Sequence, residues 1–324
     1  MTGLTRAMIG AMVVAAAGLL AQPASAVQFT WSEHGGFEFG TGTLRAGGFF
    51  GPDSPAVAGH GGLEFFQLQA APAPANTYRS IGWGCPADGN DDGAVTATTC
   101  ANGGTAAEVV TGVDPATNPN RSSLVLNVFN SAQSGVLDSQ TGAEVIISRI
   151  THNNNVIDDE ANALRTVSIS ANLVIDAIPP FSDPNVIPIG FLETINISDC
   201  SQTPNPLGSL CDDEFTFDAS GFAPLPFSHL GQNFLLVFDL RPIESCSELV
   251  DTQGSIRIFQ CTDSPAHRIA IDFVNGRAWA MEGFENSLEV VMRVVEVPVP
   301  AGIALLVAGI AGWGIRAGRR REMA

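Results

Sequence analysis

The sequence predicts an all-β fold, a β-sandwich of jelly-roll or lectin-like type. Three observations predict it. Short Val/Ile/Leu/Phe runs are spaced by clusters of Gly, Ser, Thr, Asn and Pro, the pattern of strands between turns. No long amphipathic helix and no charged helix-forming run interrupts them. No long linker separates two halves, so residues 27–296 read as one domain.

The first element is not part of that domain. Arg6 is the only charge before an apolar stretch from Ala7 to Ala21, which Pro23 ends. Ala24-Ser25-Ala26 then supplies a small-x-small cleavage site, completing the three-part order of a secretory leader over residues 1–26. The competing reading is a first membrane helix, for which the apolar run is short.

The strands follow in order. Val27 to Trp31 and Gly36 to Leu44 read as the first two, with a Gly-rich turn between, and Phe37 and Phe39 alternate with small or polar neighbours. Leu63 to Gln69 and Tyr78 to Gly84 come next, on either side of an extended Ala-Pro-Ala-Pro segment. Ser122 to Phe129, Ala143 to Ile150 and Leu164 to Ile175 are clear strands; in the last, Arg165, Val167 and Ile169 alternate with Thr166, Ser168 and Ser170. Val186 to Ile197, Glu214 to Phe217, Phe234 to Arg241, Ser255 to Phe259, Arg268 to Phe273 and Leu288 to Val295 complete the set. Asp158-Asp159-Glu160 and Asp212-Asp213-Glu214 read as solvated turns.

The tail has its own order. Val297-Pro298-Val299-Pro300-Ala301 opens a charge-free stretch with an apolar body from Gly302 to Ile315. At about 1.5 Å per residue a helix of this length barely crosses a hydrocarbon core of roughly 30 Å. Arg316, Arg319, Arg320 and Arg321 follow at once, which places the body of the protein outside the inner membrane. The prolines mark an extended hinge, because neither fits inside a helix without losing hydrogen bonds. The tail (residues 297–324) resembles the sorting signals of the PEP-CTERM group in their Val-Pro-Leu-Pro-Ala variant, with Val299 in place of Leu. The resemblance implies processing by an exosortase-type membrane protease after a transient stay in the inner membrane. An ordinary permanent tail anchor is the alternative.

Between the ends the chain is acidic. Setting aside the five arginines of leader and tail, and Glu322, leaves 10 arginines against 32 acids, a balance of −22, with no lysine. Such a charge argues against nucleic acid as a partner. Six cysteines fall in three local pairs, Cys85 with Cys100, Cys200 with Cys211 and Cys246 with Cys261. Nearest-neighbour disulfides are the natural pairing in an oxidising compartment, though six cysteines allow about 15 connectivities. No Cys-x-x-Cys or matching His spacing suggests a metal held by cysteines.

Two segments carry candidate sites. Thr151-His152-Asn153-Asn154-Asn155 directly follows a strand, and Ile81-Gly82-Trp83-Gly84 and Arg121-Ser122-Ser123-Leu124 precede it. In this order the segments resemble the exported THxN family of PEP-CTERM proteins and the related choice-of-anchor domains. The matching positions are Thr151, His152 and Asn154. That resemblance implies a β-rich exported domain and supplies no catalytic residues. Physically, Thr and Asn suit the exit from a strand into a turn, and His152 suits a bridge between backbone groups. The second segment, Asp88-Gly89-Asn90-Asp91-Asp92-Gly93, fits the first half of a calcium loop, with oxygen ligands on Asp88, Asn90 and Asp92. Thr99 stands where an EF-hand needs its bidentate Glu, so an EF-hand is excluded.

No nucleophile elbow, phosphate loop, dinucleotide fingerprint or His-Glu-x-x-His motif occurs. The function expected is that of a non-catalytic surface or exopolysaccharide-matrix protein. A calcium-dependent or carbohydrate-binding module, with Tyr78 and Trp83 as stacking groups, is the alternative, and a secreted hydrolase a remote one. Calorimetry decides the calcium loop: the exported chain should release heat and melt higher at millimolar calcium, and no change in either removes the site.

Overall fold

Alternate residues of β1 (Gln28–Glu38) turn inward: Phe29, Trp31, Glu33, Gly35 and Phe37 are buried. The sequence suggests two strands around a Gly-rich turn, but β1 runs unbroken through Gly35 and Gly36. The reason is close backbone approach. A Cβ on Gly35 would stand 2.8 Å from the Ser170 carbonyl oxygen, and one on Gly36 2.8 Å from that of Tyr78. Glycine here admits a neighbour on each side instead of making a turn.

The computed structural model describes residues 26–45, 55–56, 62–71, 73–84, 107–111, 114–117, 121–128, 135–155, 161–176, 185–192, 206–207, 212–243, 245–249, 255–281 and 283–297. Among these it is nearly all β, a curled sheet whose two arms leave β1. In one arm, Phe37 and Glu38 pair with β4 (Thr77–Trp83). The arm continues through β6 (Ser122–Val128), β8 (Val145–Asn153), β18 (Glu285–Glu296), β13 (Gln232–Pro242) and β12 (Leu225–His229). β3 (Leu63–Leu68) borders β4 and carries β5 (Ala107–Val110), the one parallel pairing among the described strands.

In the other arm, Trp31 to Phe37 pair with β9 (Ala163–Ile175). The order is then β10 (Asn185–Leu192), β11 (Asp212–Phe217), β17 (Arg277–Met281), β16 (Arg268–Asp272), β15 (Ile256–Cys261) and β14 (Cys246–Glu248). β7 (Gly135–Asp138) pairs with the start of β1, and β2 (Thr43–Arg45) with the start of β9.

The arms meet across three apolar clusters. In the first, Ile81, Trp83 and Leu124 of one arm pack with Leu164, Ile189 and Phe191 of the other. In the second, Phe29, Trp31 and Leu173 meet Ile147, Phe234 and Met292. In the third, Leu240 meets Phe259, Ile269 and Ile271. At about 25 cal/mol per Å² of apolar surface removed from water, this burial is the main stabilising term.

Several expectations change. Asp212-Asp213-Glu214 is no solvated turn: it is the buried start of β11, bordered by β10 and β17. All three pair with β17, and Glu214 pairs with β10 as well. Thr151-His152-Asn153 is not a strand exit but the end of β8, flanked by β6 and β18. β5, β7, β12, β14 and β17 are too short to read from alternation. Cys246 and Cys261 are direct cross-strand partners and form a disulfide, as nearest-neighbour pairing requires. Cys85, Cys100, Cys200 and Cys211 lie outside the described residues, as do residues 1–25 of the leader, the acids at 158–160 and the tail beyond Val297. Among the described residues no helix is long and apolar enough to cross a membrane.

The glycine argument is testable by denaturant unfolding. Gly36→Ala should cost about 1–3 kcal/mol, because both close neighbours of the new Cβ belong to β4 and its backbone cannot retreat. An unchanged midpoint would mean that β1 and β4 are not held this close.

Candidate functional site

The segments that the sequence singles out separately come together on adjacent strands. Trp83 on β4 stands opposite Ser122 on β6, Ser123 opposite Asn153 on β8, and Leu124 opposite His152. His152 in turn stands opposite Asn286 on β18. Strand alternation divides the motif between two faces. Thr151 and Asn153 turn outward, while His152 and Asn154 turn toward the facing arm.

The outward side chains are engaged in structure. Thr151 and Ser287 share a hydroxyl–hydroxyl bond of 2.8 Å. The Asn153 amide donates to Ser123 Oγ at 2.9 Å, and the Asn155 amide to the Arg121 carbonyl at 2.8 Å. The Ser122 hydroxyl returns a bond to the Asn155 carbonyl at 3.0 Å. Arg121 itself is buried against Glu64 and donates to the Gly62 carbonyl at 3.0 Å. An open cleft beside these groups, lined by Thr117, Asn153, Asn155, Phe284 and Glu285, is polar, but the amide donors of Asn153 and Asn155 point into the protein's own frame.

The inward side differs. The His152 ring, 2% exposed, stacks on Trp83 at 6.0 Å and meets the edges of Phe191 and Phe215 at 5.2 and 5.1 Å. Neither ring nitrogen has a hydrogen-bond partner among the described residues. The expected bridge between backbone groups is therefore not made. The nearest carboxylate oxygen, on Asp213, lies 3.8 Å from Nε2, beyond hydrogen-bond reach. Burial holds the His152 pKa down at about 3, so at neutral pH the ring is uncharged and the contact is not an ion pair. Asn154 donates weakly to the Met281 carbonyl, at 3.4 Å.

A second buried polar group faces the same interior. Glu33 on β1 is 6% exposed, and its Oε2 has no partner among the described residues. Burial pushes its carboxyl up to about 7. Sequence alternation marks Glu33 as inward only if β1 is read as continuous, so a turn at Gly35–Gly36 hides it. Glu33 and His152 line one internal cavity of about 140 Å³, whose other walls are largely apolar.

The remaining expected positions do not join this site. Asp88, Asn90 and Asp92 lie outside the described residues, as do Pro298, Val299, Pro300 and Ala301. Val297 is exposed, its N–H bonded to the Asn233 carbonyl at 2.8 Å. Tyr78 and Trp83 are buried, so neither offers a face for stacking a sugar. Cys261, Asp263 and His267 lie close together, but the Cys261 sulfur is bonded to Cys246. His267 contacts Asp263 at 2.8 Å and Asn286 at 3.0 Å through its two nitrogens and stacks on Phe284, a satisfied structural histidine.

No protein-family model matches the chain, and no curated protein matches it.

The two buried groups set opposite pH dependences. Glu33 binds its proton more tightly folded than unfolded, so its contribution falls as pH rises from about 4.5 to about 7. His152 is protonated first in the unfolded chain, so stability falls as pH drops from about 6.5 to about 3. Melting curves across pH should show Glu33→Gln removing the loss on the alkaline side, worth on the order of 3 kcal/mol. His152→Phe should lessen the loss on the acid side. Parallel curves for wild type and both variants would refute this assignment.

Proposed function

We propose that the chain is an exported, non-catalytic protein of the cell surface or of an exopolysaccharide matrix. Residues 27–296 form a β-sandwich of jelly-roll or lectin-like type, its layers being the two arms that meet across the apolar clusters. The leader directs export. The tail, with Val297-Pro298-Val299-Pro300-Ala301 as its recognition segment, is read by an exosortase-type protease during a transient stay in the inner membrane.

The observation that carries this reading is how the motif residues are used. Arg121, Ser122, Ser123, Thr151, Asn153 and Asn155 bond to one another or to neighbouring strands and hold the sheet together. A motif engaged in this way suits a structural domain that is delivered rather than one that turns over a substrate. The disulfide between β14 and β15 also suits an oxidising compartment.

Mass spectrometry of the protein recovered from its native envelope tests the proposal. The mature chain should begin at Val27 and lack the residues beyond the Val297–Ala301 segment. A chain that runs intact from Met1 to Ala324 would overturn the export and sorting reading.

A further inference from the structure

We infer that the cavity between the two arms is a binding site for one small uncharged amphiphile, an alcohol with a hydroxyl head and a short alkyl body of about six carbons. The cavity wall comes from both arms. Ile150 and Leu126 lie on one side, Ile169 and Phe215 on the other, and Leu288 and Leu240 close it. Its volume, about 140 Å³, is close to that of an apolar cavity known to admit a benzene-sized guest, about 150 Å³. Along β8 its lining runs from Ile147 to His152.

The polar groups specify the head. Glu33 brings to the cavity a carboxyl oxygen, and His152 two ring nitrogens, that have no partner among the described residues, although both side chains are more than nine-tenths buried. Buried polar groups without partners are costly in apolar surroundings, and a guest that bonds to them relieves that cost. The head belongs at Glu33. His152 is hemmed in by the rings of Trp83, Phe191 and Phe215, at 6.0, 5.2 and 5.1 Å from its own. A protonated carboxyl both donates to and accepts from a hydroxyl. No arginine is among the described residues that line the cavity, so a fatty-acid carboxylate would lack a counter-charge there. Entry lies where the lining is only half-buried, beside Ala171, Ile187, Phe217, Leu225 and Phe238, with Gly221 exposed.

Isothermal titration calorimetry tests this. The full chain, produced with its leader and recovered without detergent, is titrated with 1-hexanol or hexanoate near pH 6, where Glu33 keeps its proton and hexanoate is charged. One saturable 1-hexanol site per chain is expected, with hexanoate about tenfold weaker. Ala171→Phe at the mouth and Ala278→Leu inside should each weaken 1-hexanol about tenfold while circular dichroism still reports a β fold. Glu33→Leu should weaken 1-hexanol more than benzene, which has no polar head. The absence of saturable wild-type binding overturns the proposal whatever the variants do. So does wild-type affinity in either folded cavity variant, which would place the ligand on the surface. The site is independent of how the tail is processed, so either result leaves the sorting question to mass spectrometry.

Discussion

β1 belongs to both arms of the sheet, and the interior exists because it does. Its middle pairs with β9, and its last two residues pair with β4. A strand shared in this way obliges the arms to curl toward one another, since strands carry a fixed right-handed twist and cannot spread flat. The side chains of β1 that point into the curl must then match both walls. Phe29, Trp31 and Phe37 do so by burying apolar area. Gly35 and Gly36 do so by having no side chain where Ser170 and Tyr78 press in.

Polar groups divide according to the side of the sheet they face. On the outer side they are charged and paired. Glu289, fully buried, accepts from Arg149 Nε at 3.2 Å and lies 3.6 Å from Arg241 Nε, while Arg241 also bonds to Glu144 at 3.0 Å. A buried carboxylate is tolerated when such partners return the solvation it has lost. Inside the curl, Glu33 Oε2 and the His152 ring nitrogens have no such partners among the described residues, and each side chain meets the cost by favouring its neutral form. Eight of the ten arginines outside the ends are exposed or half-buried, and of the two buried ones Arg121 is paired with Glu64.

Legibility in the sequence followed the length of the pattern. β9 was readable because six alternating positions with a polar outer face leave no other reading. β14 and β17 were not, because three to five residues give no period, and their existence depends on long-range pairing to β15, β16 and β11. The Gly35–Gly36 pair is ambiguous in sequence because glycine serves turns and close approaches alike, and only the neighbouring strands distinguish them. The acids of β11 are hidden for a related reason: their pairing with β17, and with β10 at Glu214, is long-range and leaves no local pattern. The candidate site was half legible. Thr151, His152 and Asn154 stood out as a motif, yet the sequence could not assign them to opposite faces without the register of β8.

That register rests on a single bulge. Opposite β18, Ser148 pairs with Val290 and Ile146 with Val291, which leaves Ile147 as the extra residue. The bulge lets Val145 and Ile147 pack with the Phe29 cluster while Ser148, Ile150 and His152 line the cavity on the same side of the sheet. Without the extra residue, strict alternation would send one of these two sets outward. A slip by one residue at the His152 end would expose the histidine and bury Thr151 away from Ser287. The motif and the cavity therefore depend on the same backbone irregularity. The outward hydrogen bonds of Thr151 and Asn153 hold the end of β8 in the register that keeps His152 inside.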